Sequence, residues 1–335
     1  MTRQLYTRLR PYMMPLAVLA ITWIVIAATT PSFRGQASIY AVLEGFPLVG
    51  LVALGLAVTI IAGELDLSVG SMAALAAVIA VLASPAGLIG CIAIAVLCGT
   101  VLGAIQGGLI AYLRINSLVF TIGTLIMLRG ITFLASGHAP IIIENFEITD
   151  PLLERYGVFS VSSLVTIAVF AIAGLFLTYT RWGREIFAIG GARNEAIAAG
   201  VPRVRPLTVA FAISAGCASL AGALAATRGG SAAPQNYEDL LLSAAAAALL
   251  GGISLYGGRG TVINVALGVA VLSVVGAGLA ARGSAASLVQ LVTGALLLTV
   301  ITLEFLAGRL TLKDTVLGRA LPRGRAAGTP SDAGG

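Results

Sequence analysis

Long apolar runs separated by short polar turns set the rhythm of this chain. The runs fall at approximately 13–30, 45–62, 69–84, 87–111, 117–135, 160–179, 207–226, 240–252, 262–280 and 286–307. A helix that crosses a bilayer needs about 20 apolar residues. Barrel strands would alternate apolar and polar positions, and runs such as Leu88–Ile105 (LIGCIAIAVLCGTVLGAI) do not. The pattern predicts an all-α, polytopic membrane protein with about ten transmembrane helices. The third and eighth runs are short, as expected of helices that meet a polar break.

One such break carries most of the chemistry. The segment Ile60–Met72 (IIAGELDLSVGSM) sets Glu64 and Asp66 between two apolar runs, with Ser68 and Ser71 beside them. Carboxylates beside hydrocarbon are costly and mark a boundary, a bundle interior or a wet path. Gly63 and Gly70 flank the turn, and a broken helix is tolerated only where protein or a cavity covers its backbone. An interrupted hairpin at one membrane face is therefore predicted.

Composition agrees. Hydrophobic residues make up 58% of the 335 residues and charged residues 10%, against about 25% charged in soluble domains; the mean hydropathy is +1.01. The 41 glycines suit helices that approach closely without water to drive them together. The three cysteines, Cys91, Cys98 and Cys217, lie in apolar stretches and have no metal-ligand spacing.

The net charge of +6 follows topology rather than nucleic acid, and no nucleic-acid partner is expected. With ten spans and the N-terminus inside, the inner segments hold Arg3, Arg8, Arg10, Arg114, Arg181, Arg184, Arg193, Arg203, Arg205, Arg259, Arg309, Lys313, Arg319, Arg323 and Arg325. The outer ones hold only Arg34, Arg155, Arg228 and Arg282. This asymmetry orients the protein with both termini cytoplasmic. The first run reads as an uncleaved signal-anchor, because the chain after it is equally hydrophobic. The organisation expected is a cytoplasmic N-terminus (1–12), a transmembrane domain (13–307) with an inner loop at 181–206, and a cytoplasmic tail (308–335), disordered at its Gly/Pro/Ala-rich end.

Enzyme chemistry finds little support. Gly251–Gly260 (GGISLYGGRG) lacks the lysine and hydroxyl of a nucleotide-binding loop and joins two apolar helices. His138, the only histidine, sits in an outer loop. No cofactor or metal is expected in this chain. Three features remain. Gly251, Gly252, Ser254, Gly257 and Gly258 form a second inner turn that echoes the first. Arg129 is a cation within a span, either snorkelled, ion-paired or on a pathway. In the basic loop Arg181–Arg205, residues 192–199 are good helix formers bounded by Gly190-Gly191 and by Gly200 with Pro202, which predicts a short helix at the inner face.

Together these segments resemble the permease subunits of bacterial ABC importers for monosaccharides, the ribose/xylose/autoinducer-2 type. The resemblance rests on Glu64-Leu65-Asp66-Leu67-Ser68-Val69-Gly70-Ser71, on Thr121-Ile122-Gly123-Thr124 with Arg129-Gly130, on Arg181-Trp182-Gly183-Arg184 through Gly190-Gly191, and on Gly251–Gly260. It implies a permease of about ten spans in the bacterial cytoplasmic (inner) membrane. Its implied partners are a second permease copy or paralogue, a cytosolic ABC ATPase that binds the ATP, and an extracytoplasmic sugar-binding protein. Gly190, Gly191, Asn194, Glu195, Ala196, Ala198 and Gly200 would carry the coupling to the ATPase. Glu64, Asp66, Ser68, Gly70 and Ser71 would form a broken-helix gate, with Thr121, Thr124, Arg129 and Ser243 as intramembrane candidates. The chain departs from the family pattern at Glu64-Leu65, where Gly-Ile is usual, and at Ser243–Ala246, where an acid is usual. The competing reading is a stand-alone ion-coupled transporter or channel that uses Glu64 and Asp66.

Overall fold

The computed structural model describes residues 2–285, 287–300 and 302, with side chains from residue 12 onward. The expected tail, 308–335, and the end of the last apolar run lie outside the described residues. The chain divides into a large unit, Met1–Gly294, and a C-terminal one, Ala295–Gly335; the candidate site lies in the large unit.

Helices account for most of it. They are α1 (Thr2–Thr29), α2 (Gln36–Ile61), α3 (Val69–Leu82), α4 (Gly87–Leu113), α5 (Ser117–Ala135), α6 (Asp150–Leu153), α7 (Val161–Tyr179), α8 (Arg181–Gly191), α9 (Arg193–Ala198), α10 (Val204–Gly229), α11 (Leu240–Leu250) and α12 (Val262–Ala280). A short apolar helix, α13, follows at Ser287–Val300. Seven of the described helices, α1, α2, α4, α5, α7, α10 and α12, are long and apolar enough to cross a membrane. The other apolar runs form the shorter α3, α11 and α13. Helix α1 starts at Thr2, so the expected N-terminal segment 1–12 continues into the first span as one helix.

Local signals start several of these helices. Asn116 accepts from the Leu118 amide at 2.9 Å and caps α5. Ser160 and Ser163 cap α7 reciprocally. Thr261 accepts from the Asn264 amide and caps α12. Thr180 ends α7 by donating to the Phe176 carbonyl and begins α8 by accepting from the Gly183 amide.

The core is built around α2 and α10, whose membrane-length windows are 61% and 67% buried. Small residues bring the backbones together. On α4, Gly99, Gly103 and Gly107 face α10; a Cβ at Gly103 would lie 2.4 Å from the Phe211 carbonyl oxygen, and one at Gly107 2.7 Å from that of Leu207. On α10, Gly222 sits against the Ala73 carbonyl of α3 in the same way. The outer helices turn apolar side chains outward: Ile89 is 83% exposed and Leu134 75%. Such surfaces are compatible with lipid as the solvent.

Loops sort onto two faces. On one, β1 (Ile141–Ile142) pairs antiparallel with β4 (Ser231–Ala232), and β2 (Arg155–Tyr156) with β3 (Phe159–Ser160). Glu44 pairs with Arg228 there, and Arg282 donates to Thr30 at 2.7 Å. The turns around Gly63, Gly190 and Gly258 meet at the opposite end. This is the grouping that alternating spans require.

Candidate functional site

Between α2 and α3 the chain leaves the helix at Ala62 and re-enters it at Val69. A buried break must satisfy its backbone, and several of its groups have named partners. The Gly63 amide donates to Ile60, and the Glu64 amide to Thr59. The Leu65 amide donates to the Ser117 hydroxyl, and the Thr121 hydroxyl donates to the Leu65 carbonyl.

Asp66 holds the break in place. It is 1% exposed. Its Oδ1 accepts from the Ser68 amide at 3.0 Å, the Ser68 hydroxyl at 2.6 Å and Gln106 Nε2 at 3.2 Å. Its Oδ2 accepts from the Ser214 hydroxyl at 2.9 Å. One carboxylate thus ties the break to α4 and α10.

Above the break is a cavity of about 150 Å³ between α3, α5 and the segment before α11. Gly70 and Ser71 line it from α3, Arg129 and Thr132 from α5, and Tyr237 and Glu238 from the loop. Arg129 and Glu238 form an ion pair whose members are each about half exposed, 51% and 49%.

Below the break, three glycine turns converge. The Gly258 amide donates to the Ile61 carbonyl at 2.8 Å. A Cβ at Gly190 would lie 1.7 Å from that same oxygen, and one at Gly258 2.3 Å from the Gly191 Cα. Gly63, Gly257 and Gly258 also have positive φ angles, of 76°, 79° and 66°, which side chains disfavour. Beside them, Arg193 at the start of α9 donates to Glu64 at 2.8 Å. Glu185 of α8 accepts from Arg205 Nε at 2.9 Å and from Arg181 at 3.0 Å. The hydrogen bond from Arg205 is the main reason its carboxyl is held below the usual range.

Residues 38–301 match the family described as the branched-chain amino acid transport system / permease component. The chain belongs to that family. The L-arabinose ABC transporter permease protein AraH of Azospirillum brasilense is 30% identical over 258 residues, 76% of each chain. The autoinducer 2 import system permease protein LsrD of Escherichia coli K12 is 30% identical over 298 residues, 85% of this chain and 89% of its own. No solved structure matches. A permease component with seven helices among its described residues that are long and apolar enough to span is a multi-pass protein of the inner membrane.

In this permease the residues singled out in the sequence fall into distinct places. Gly70, Ser71 and Arg129 line the cavity. Asp66 and Ser68 lie beneath it in the clamp, and Glu64 lies at the glycine junction. Thr121 supports the break, and Thr124 bonds its own helix at Phe120. Ser243 is on α11 and is not among the cavity-lining residues. Gly251 packs on the Asn264 carbonyl, and Gly252 turns the chain with a φ of 87°. Ser254 accepts from the Tyr256 amide within the second turn. On α9, Asn194, Glu195 and Ala198 are exposed, whereas Ala196 faces inward and is buried. Gly200, with a φ of 86°, ends that helix.

Sequence reasoning missed α8, whose Ile186 and Ile189 are buried while Trp182 is exposed; their helical spacing was the available signal. It also missed Gln106 and Ser214. Gln106 is a polar residue inside an apolar run, which was legible in principle. Glu238 and Tyr237 complete the cavity from a loop and left no periodic trace.

Proposed function

We propose that this permease is the membrane subunit of an ATP-driven ABC importer and carries a monosaccharide or sugar-like solute. The observation that carries the reading is the similarity over most of the chain to permeases named for L-arabinose and for autoinducer 2. It crosses the membrane about ten times, with both termini in the cytoplasm; the clustering of arginines on the Gly63 face supports that orientation. Its partners are a second permease, a cytosolic ATPase and an extracytoplasmic binding protein.

The cavity above the break lies on the solute path, with Gly70 and Ser71 at its floor. A narrow site with the Ser71, Thr132 and Tyr237 hydroxyls and the Arg129–Glu238 ion pair suits a polyhydroxylated solute. Helix α9 is the coupling element. Its outward residues are Asn194, Glu195, Ile197 and Ala198, and Ile197, 43% exposed, is its exposed apolar contact. A push on α9 reaches the break through the Arg193–Glu64 pair and through the Gly190–Ile61 and Gly191–Gly258 backbone contacts. The break then moves the cavity floor. The ion-coupled alternative is not favoured: Asp66 is already occupied by four donors, and Glu64 by Arg193.

Purification of the tagged protein in mild detergent, with mass spectrometry of what accompanies it, tests this reading. An ATPase and a solute-binding protein should copurify, and the binding protein should take up a sugar in a ligand screen. A partner-free oligomer that persists after crosslinking in intact cells would overturn it.

A further inference from the structure

A second cavity, of about 400 Å³, opens at the end where the glycine turns meet. Its wall carries Arg114, Arg193 and Arg203, with Glu64 as the only carboxylate among the lining residues. Glu64 is taken by Arg193. Arg114 and Arg203 have no ion pair among the described residues, and the Nε of Arg203 is shut off from solvent with no hydrogen-bond partner. Burial, and then the nearby Arg193 and Arg114 charges, push the Arg203 guanidinium below its usual value. Like charges converging on a partly buried space leave it short of negative charge. The remaining wall includes Asn116 and Ser117, the start of the 19-residue α5; Asn116 caps the Leu118 amide, and the positive end of the helix dipole still favours an anion nearby. Arg114 is held beside it in the left-handed region, with a φ of 56°. Guanidinium forks match phosphate oxygens in geometry as well as charge. The concave, polar wall suits a compact anion better than a protein segment.

We propose that this cavity binds a phosphate group, free or on a lipid headgroup, between Arg114 and Arg203 at the first turn of α5. The site is independent of the solute carried; only its lipid source relies on this end facing the cytoplasm. A bound phosphate would join the α4–α5 turn to the start of α10, next to the coupling helix, and would stiffen the route from the ATPase to the break.

The test is thermal melting of the purified complex in sodium phosphate against sodium chloride at equal ionic strength. The native chain is compared with Arg203→Gln, Arg114→Gln and a control of equal charge change, Arg259→Gln, outside the cavity. Phosphate should raise the melting temperature of the native chain and the control, and not of the two cavity variants. If Arg203→Gln does not fold, the exposed and unpaired Arg114 carries the comparison. Native mass spectrometry from nanodiscs of phosphatidylcholine with phosphatidylglycerol then separates the sources. Phosphatidylglycerol retained by the native chain and lost from the cavity variants assigns a lipid headgroup; a phosphate response without retention assigns the free anion. No response in the native chain, or an equal response in all proteins, would overturn the proposal.

Discussion

Asp66 shows how much one side chain can hold. Its four donors come from the break itself, from α4 and from α10. Removing the acceptor leaves buried donors unmet, each at a cost of about 1–3 kcal/mol before relaxation. Asp66→Ala should therefore destabilise the protein by on the order of 3 kcal/mol, seen as a clear fall in melting temperature in detergent. Asp66→Asn keeps one acceptor and should cost less. Equal melting of Asp66→Ala and the native chain would show that the clamp does not bear on stability. Glu185 makes a different prediction. Its folded carboxyl titrates below the ordinary value, so its stabilising contribution is complete above that value and is lost as pH falls through the lowered one. Melting temperature measured between neutral pH and acid should fall less steeply in Glu185→Gln than in the native chain; parallel profiles would reject the role. Glu64 and Asp66 were conspicuous in the sequence because carboxylates are rare beside hydrocarbon. Their partners were not, since Gln106 and Ser214 are 40 and 148 positions from Asp66 along the chain. Spacing within one element cannot report a pairing between elements.

At the scale of elements, the apolar runs were legible because burial in lipid demands continuous hydrophobicity, and all the runs within the described residues are helical. What the runs do not encode is which faces touch. Helix α4 is apolar nearly all round, and its contact with α10 depends on where its glycines lie. Gly103→Ala would place a methyl 2.4 Å from a carbonyl oxygen, whereas Gly108→Ala would meet only the Thr208 hydroxyl at 3.5 Å. Overpacking of the first kind costs about 1–3 kcal/mol, so Gly103→Ala should lower the melting temperature and Gly108→Ala should leave it nearly unchanged. Equal behaviour of the two would mean that α4 and α10 are not held at this distance in the membrane. The inner loop was read as one short helix because Gly190-Gly191 looked like its start. The glycines instead close α8 and let α9 turn away, a use set by tertiary contact with Ile61 and Gly258 rather than by local propensity.

For the whole molecule, the sequence motifs behind the family resemblance prove to be neighbours. The break after α2, the end of α8 and the turn before α12 meet around Gly63, Gly190 and Gly258, although they are far apart in the chain. Their meeting places α9, the proposed coupling helix, against the break beneath the cavity. Among the described residues the Glu64–Arg193 pair is the one ion pair across that junction, and a charge-assisted bond of this kind contributes about 1.5–3 kcal/mol. We propose that ATP-driven motion of α9 reaches the solute path at this junction. The most direct test is the amount of solute imported per ATP hydrolysed by the reconstituted importer, for the native permease, Glu64→Ala, Arg193→Ala and the double variant. Each single variant should lower the ratio, by roughly tenfold for every 1.4 kcal/mol of coupling lost, while ATP hydrolysis persists. The double variant should be no worse than either single. An unchanged ratio in all three, with assembly intact, would contradict the proposal.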